Sequence, residues 1–487
     1  MRWVTIAAAT MLVGTGAYLP EAPASPEPAW SSYLGGPDGE NGRGVAVDSA
    51  GNVYAVGSTH STDWVSGGWM TELEAAGHPA ASSGFLVKLG PDGQHLWSTY
   101  IGRRGAFDVA WAVAVDAEDS VIVVGETTEP TWASGGWMDE SRSGESGFAA
   151  KFTPDGEHLW STYIGGEGLD QALGTAVDAE GNVYVVGVTA AGEWVSDGWT
   201  TGWNQQWTHA GFVVKLTSDG QHAWSSYIGG DEGRARANAV ATGPDGNVFV
   251  AGRMTAGDWI EDDVVMGDDL ADTAGFVVKL APDGEHQWSA FFGGDSYEEV
   301  HGLGADGEGN VIAAGQTESE GWVSGGWTVT PPEGFRRAGF ALKLDHGGAH
   351  LWSTYLGGSS VDWALDAAVD CSGNTFVTGR TANEEWGISG GWETDLPGAP
   401  NMGGFLVKLD PEGSHIWSSY LGGESGDTAN AVAVDPSGHS PVVAGHTWSS
   451  DWISGGWNTE FSGGPMAPDA FVLRVRSGVA GSGWVVH

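Results

Sequence analysis

The chain has almost no cysteine, little lysine and no long apolar run beyond its N-terminus. Cys371 is the single cysteine among 487 residues, so no internal disulfide can form and cysteine-ligated metal centres are excluded. It stands in Asp370-Cys371-Ser372-Gly373-Asn374, a stretch where sister repeats carry Ala or Ser, and reads as a turn residue. Basic residues number 19 against 63 acidic ones, a net charge of −44 that repels phosphate backbones and anionic lipid heads and excludes nucleic acid as a partner. No segment after the first 24 residues approaches the roughly eighteen apolar residues of a membrane span. Convincing amphipathic helices are missing. So are the Gly-x-Ser-x-Gly elbow, His-Glu-x-x-His and the phosphate loop, which leaves little to suggest an enzyme.

Glycine and tryptophan are what the sequence has in excess, 81 and 27 residues. With 41% hydrophobic residues, the glycine signals many tight turns around a sizeable core, not disorder. The N-terminus differs in kind. Arg2, the apolar stretch from Val4 to Leu19 and Ala22-Pro23-Ala24 before Ser25 read as a secretory signal peptide over residues 1–24, followed by a short linker over 25–29.

From there one phrase organises the chain. Trp-Ser-[Ser/Thr]-Tyr-[Leu/Ile]-Gly-Gly, with small changes, begins at Trp30, Trp97, Trp160, Trp224, Trp288, Trp352 and Trp417, seven copies. Each period holds four short alternating runs separated by Asp-x-x-Gly-Asn or Pro-Asp-Gly turns, the signature of antiparallel strands joined by hairpins. Seven such units predict an all-β fold, a seven-bladed β-propeller over residues 30–476, with residues 477–487 as a tail or degenerate strand. An open solenoid is the alternative. The ends favour closure: the chain begins with only a fourth strand, Trp30 to Leu34, and its last clear strand is a third one, Phe471 to Val475. These two are predicted to pair and complete the seventh blade.

Three phrases recur in order: Tyr33-Leu34-Gly35-Gly36, Val45-Ala46-Val47-Asp48-Ser49-Ala50-Gly51-Asn52-Val53-Tyr54-Ala55-Val56-Gly57-Ser58-Thr59 and Gly84-Phe85-Leu86-Val87-Lys88-Leu89. On them the chain resembles the bacterial seven-bladed β-propeller (SBBP) repeat proteins over about residues 30 to 476. The resemblance implies a secreted or surface protein and brings no common catalytic activity. Where that family usually carries Asp-Phe-Pro after the second strand, this chain carries Asp63-Trp64-Val65-Ser66-Gly67-Gly68-Trp69.

In a propeller the loops from second to third strand and from fourth to the next first strand share one face. Here that face carries all the long, variable loops, so it is the expected seat of function. The loops supply one tryptophan per blade at Trp64, Trp132, Trp194, Trp259, Trp322, Trp386 and Trp452. A second follows at Trp69, Trp137, Trp199, Trp327, Trp392 and Trp457, and blade 4 replaces it with an acidic stretch, Glu261 to Asp269. Flat rings beside carboxylates suit sugars, while packing between blades is the plainer role for the same residues. Six histidines, His95, His158, His222, His286, His350 and His415, each two residues before a fourth-strand tryptophan, are expected to be structural, as is the third-strand cation of each blade, lysine in six and Arg474 in the seventh, paired with carboxylates of adjacent strands. The Gly-Gly-led acidic loops, such as Gly165 to Asp170, make calcium conceivable, although no EF-hand or calcium nonapeptide array is present. His60, His209, His301 and His446 break the repeat and are candidates for acid–base chemistry that spacing alone does not select.

These readings describe a secreted or cell-surface monomer without a cofactor, its tryptophan-lined face binding an extracellular glycan or polysaccharide. A surface assembly scaffold that binds proteins, and a polysaccharide lyase or hydrolase, are the alternatives.

Overall fold

A computed structural model of the chain describes residues 25–73, 81–102, 106–142, 144–202, 209–229, 234–255, 264–267, 273–331, 333–384, 386–398, 401–436, 438, 440–464 and 467–476. The signal-peptide reading, the tail at 477–487, Trp259 and most of the acidic stretch of blade 4 lie outside them. Seven antiparallel sheets stand side by side. Their inner strands are Glu40–Val47, Asp108–Val115, Asp170–Val177, Ala235–Thr242, Glu298–Ala305, Trp363–Val369 and Asp427–Val434 for blades 1 to 7. In blade 5 the sheet continues outward through Val311–Thr317 and Ala338–Leu344 to His350–Leu356, and the other blades follow the same order. Among the described residues no helix is long and apolar enough to cross a membrane.

The ring closes as the sequence predicts. Glu27–Leu34 pairs antiparallel with Asp469–Arg476, with Ser31 opposite Leu473 and Tyr33 opposite Phe471, so the two ends of the chain share blade 7. This strand begins at Glu27, within the stretch expected to be a linker. The core is divided. Each of seven apolar clusters lies between adjacent blades, as where Leu86 and Trp97 of blade 1 meet Val121 and Phe148 of blade 2. Alternation makes this possible, since both faces of every sheet are covered by a neighbour.

On the tight-turn face each fourth-strand tryptophan reaches the next blade. Trp97 Nε1 donates to the Pro154 carbonyl at 2.8 Å, and Trp352 does the same to Pro411 at 2.9 Å. The repeated lysine joins this contact: Lys88 lies 3.3 Å from the Asp48 carboxylate of its own blade and donates to Pro154 O at 3.0 Å. Tryptophan and lysine in these slots are thus structural.

Candidate functional site

The tryptophan loops do not stand up on the loop face. Each runs back along the outer edge of its own blade and pairs in parallel with the fourth strand, Gly67 with Ser98, Gly135 with Ser161 and Gly325 with Ser353. Blade 4 does the same through Val264–Met266, which pairs with His286–Phe292. The Ser-Gly-Gly phrase follows from this contact: a Cβ on Gly68 would sit 2.7 Å from the Ser98 carbonyl oxygen, so only glycine allows the approach. An edge strand covered in this way no longer offers free N–H and C=O groups for aggregation.

This placement corrects the picture of a free aromatic ring. Trp132, Trp194, Trp322 and Trp386 are buried, and Trp64 and Trp452 half-buried, each edge-on to a blade phenylalanine such as Phe148, 5.1 Å from Trp132. Except in Trp386, whose Nε1 is buried without a partner among the described residues, their indoles donate to a threonine of the second strand. Trp132 Nε1 donates to Thr127 Oγ1 at 3.3 Å, and that hydroxyl donates to Asp108 at 2.5 Å; Trp194, Thr189 and Asp170 repeat the chain. The second tryptophan of one blade stacks on the fourth-strand histidine of the next: Trp69 on His158 at 4.5 Å, Trp137 on His222 at 4.3 Å, Trp199 on His286, Trp327 on His415 and Trp457 on His95 at 4.2 Å each. Trp392 instead lies 6.1 Å from Trp417. Tryptophan and histidine, two separate features in the sequence, form one contact between blades.

The Gly-Gly-led acids are also turned inward. Asp427 accepts from Gly423 N–H at 2.9 Å, from the Ser449 hydroxyl at 3.1 Å and from Thr447 Oγ1; Glu40 and Asp170 cap Gly36 and Gly166 in the same way. Burial pushes these carboxyls up, Glu40 and Asp427 to about 7 and Asp170 to about 6. Among the described residues no group of three or more His, Cys, Asp or Glu side chains is placed to hold a metal ion.

A different site opens where the inner strands meet. Every inner strand carries a β-bulge at the same place, and the extra residues are Arg43, Trp111, Leu173, Asn238, His301, Leu365 and Asn430. All seven line a central channel enclosing about 420 Å³. The bulge explains another repeated glycine, because a Cβ on Gly57 would come within 1.9 Å of the Asn41 carbonyl oxygen. Arg43 lies 4.6 Å over the Trp111 ring, and Asn430 donates to Gly42 O at 2.6 Å across the closure. His301 Nε2 is buried without a hydrogen-bond partner among the described residues.

On the loop-face side of this ring blades 4 to 6 carry a cationic and aromatic mouth, while the cavity itself is lined from the bulges toward the tight-turn ends of the inner strands. Arg253 and Arg337 lie 5.4 and 5.7 Å over the Tyr297 ring, and Arg337 and Arg380 lie 5.7 and 3.8 Å over the Trp363 ring. Glu299 sits at the centre. It accepts from Tyr297 Oη at 2.5 Å, Asn238 Nδ2 at 3.0 Å and Gln316 Nε2 at 3.1 Å, and pairs with Arg253 at 3.4 Å. Burial alone would raise its carboxyl, but His301 and Arg253 hold it below the usual range. Burial pushes the His301 imidazole below its usual range against the pull of Glu299, and it pushes His446, which also faces Arg43 and Arg380, down to about 3. Outside the seven repeated third-strand cations only 12 basic residues remain against 63 acidic ones, which makes the loops strongly anionic. Arg43, Arg236, Arg253, Arg337 and Arg380 converge instead on this one opening, because the bulge position and the strand ends above it are where blades face the axis.

Residues 29–63, about half of one repeat period, match the SBBP beta-propeller repeat family, and the same phrases return around the ring. The uncharacterized WD repeat-containing protein L264 of Acanthamoeba polyphaga mimivirus is 33% identical over 112 residues, 22% of this chain and only 8% of that protein's length. The Neurospora crassa Pan2 WD40 domain superposes with a TM-score of 0.45 at 9% identity, covering 93% of this chain and 96% of that one. Kuenenia stuttgartiensis hydrazine synthase does so at 0.42 and 10%, covering 88% and 95%.

Of the four repeat-breaking histidines, His301 lines the channel, and His446 lies behind it with its Nδ1 3.1 Å from Asn430 Nδ2. His209 lines an adjoining hollow of about 560 Å³ with Arg234, Arg236 and Arg253, and His60 lies apart, its Nδ1 3.3 Å from Gly39 O. The arginine mouth had a signal in the sequence. Aligning the seven repeats and reading the column two residues before each bulge gives Asn41, Val109, Gln171, Arg236, Glu299, Trp363 and Thr428, a column with no consensus inside an otherwise repetitive chain.

Proposed function

We propose that this protein is an exported, non-enzymatic binding propeller that recognises an extracellular glycan, and that the seat of recognition is the channel mouth. The observation that carries the reading is the ring of unlike amide, hydroxyl, imidazole and aromatic side chains, among them Trp111, Thr175, Asn238, His301 and Asn430, around one cavity, with Glu299 and Gln316 bonded beside it. A hydroxyl-rich ligand is held by such groups, and the volume falls within the about 300–1,000 Å³ of small-ligand sites. The signal-like N-terminus over residues 1–24 supports export.

The test is binding of residues 25–487 to immobilised bacterial and algal polysaccharides, with and without calcium. Saturable binding that weakens about tenfold in Trp363→Ala, the loss of one well-packed contact, is the expected result. Binding that survives Trp363→Ala but disappears when Trp69, Trp137 and Trp199 become Ala would return the site to the rim. A second reading, a surface assembly scaffold, draws on the row of exposed Leu96, Leu159, Leu351 and Ile416 along the fourth strands. Mass that rises with concentration, without glycan binding, would favour it.

A further inference from the structure

Five of the thirteen arginines in a chain of net charge −44 face one opening. Two glutamates hold part of that charge. Glu318 accepts from Arg337 Nε at 2.9 Å and Glu299 pairs with Arg253, each fixed by further hydrogen bonds. Arg380 has no such partner. Among the described residues it forms no ion pair, its Nε is buried without a hydrogen bond, and the charge it meets is the like charge of Arg337 on the other side of Trp363. Stacking on Trp363 holds its guanidinium against the ring, and a guanidinium without a carboxylate partner is the group with which arginine grips a planar or tetrahedral oxyanion through paired hydrogen bonds. Deeper in the same channel the His301 imidazole turns an unpartnered, buried Nε2 toward the axis.

We propose that the ladder Arg253, Tyr297, Arg337, Trp363, Arg380 binds the oxyanion of an acidic glycan, a carboxylate or a sulfate ester, with Arg380 as its principal contact. This rests on the glycan reading above and names the class of sugar. A net charge of −44 repels polyanions from most of the surface, so such a ligand is guided to this cationic opening.

The experiment compares the full chain with its Arg380→Gln and Arg253→Gln variants against three probes: a neutral glucan, polygalacturonate and a sulfated galactan, at two salt concentrations, with circular dichroism confirming the fold of each variant. The expected result is saturable, salt-weakened binding of one or both acidic polymers, reduced about tenfold or more by Arg380→Gln, as for loss of a charge-assisted hydrogen bond, and less by Arg253→Gln. Competition by free galacturonate or by inorganic sulfate tells which oxyanion is held. Equal binding of the neutral glucan, unchanged in Arg380→Gln but lost in Trp363→Ala, would overturn the anion site and leave the glycan reading standing. Inorganic sulfate bound through Arg380 without any polymer binding would do the reverse, keeping the anion site and removing the glycan.

Discussion

Along the outer edge, blades 1, 2, 3, 5 and 7 set the same tryptophan against the same histidine of the following blade, whereas around the channel the corresponding slot runs Arg43, Trp111, Leu173, Asn238, His301, Leu365, Asn430. Both regions come from one repeat. At the rim a residue must fit the next blade, so every copy is under the same steric demand. At the bulge the extra residue lies outside the ladder of pairs and faces open space, so each blade can differ without disturbing its neighbours. Sameness marks what holds the ring together; difference marks where it meets something else.

Breaking the comparison at its strongest point means opening the ring. Deleting residues 30–36 removes Trp30, Tyr33 and Leu34 from blade 7 and exposes the edge of Asp469–Arg476. The expected loss exceeds the about 5–15 kcal/mol that holds a typical domain, so calorimetry should show no cooperative transition; an unchanged melting temperature would refute closure. Next in size, Trp132→Ala empties a buried site that is 6% exposed and should lower stability by about 3–5 kcal/mol in denaturant titration.

A third measurement probes the buried acids. Because the folded-state pKa of Glu40 is raised to about 7, the folded chain binds the extra proton and this contribution to stability is lost as pH rises through that value. Glu40→Gln does not titrate. Its stability relative to the natural chain should therefore rise by about 1–2 kcal/mol between pH 5.5 and 8.5, while the histidines, titrating alike in both chains, cancel. A flat difference would mean that Glu40 stays ionised.

Smaller still is the rim contact itself. A double-mutant cycle on Trp137 and His222 should give a coupling of about 0.5–1.5 kcal/mol. Leu173→Ala, at the bulge, should change stability by about 0.5 kcal/mol or less. If Leu173→Ala costs as much as Trp132→Ala, the channel is packing and the contrast fails.

Much of this was legible in advance because it is periodic. Seven returns of Trp-Ser-Ser-Tyr-Leu-Gly-Gly specify the blades, and the mismatched ends, Trp30 to Leu34 and Phe471 to Val475, specify the closure, since each strand needs the partner only the other provides. The tryptophan loops were misread for a physical reason: Ser66-Gly67-Gly68 looks like an exposed tip, yet the same glycines let a backbone press against a neighbouring strand. Trp137 and His222 belong to different copies, so reading one repeat at a time hides their contact. The channel was hidden by the bulge, which slips the alternation by one and makes Arg43 and His301 look like ordinary outward-facing residues.

The shared seventh blade also governs the order in which the molecule can form. Ser31, among the first residues of the ring to be synthesised, finds its partner Leu473 only at the far end of the chain. Pairings so distant in sequence are slow, and partly made β-structure with open edges is prone to associate with other copies. Six blades can assemble as they emerge, but the ring has no finished form until residue 476 is available. Folding of the ring therefore waits for residue 476, with its oldest strand pairing with its youngest.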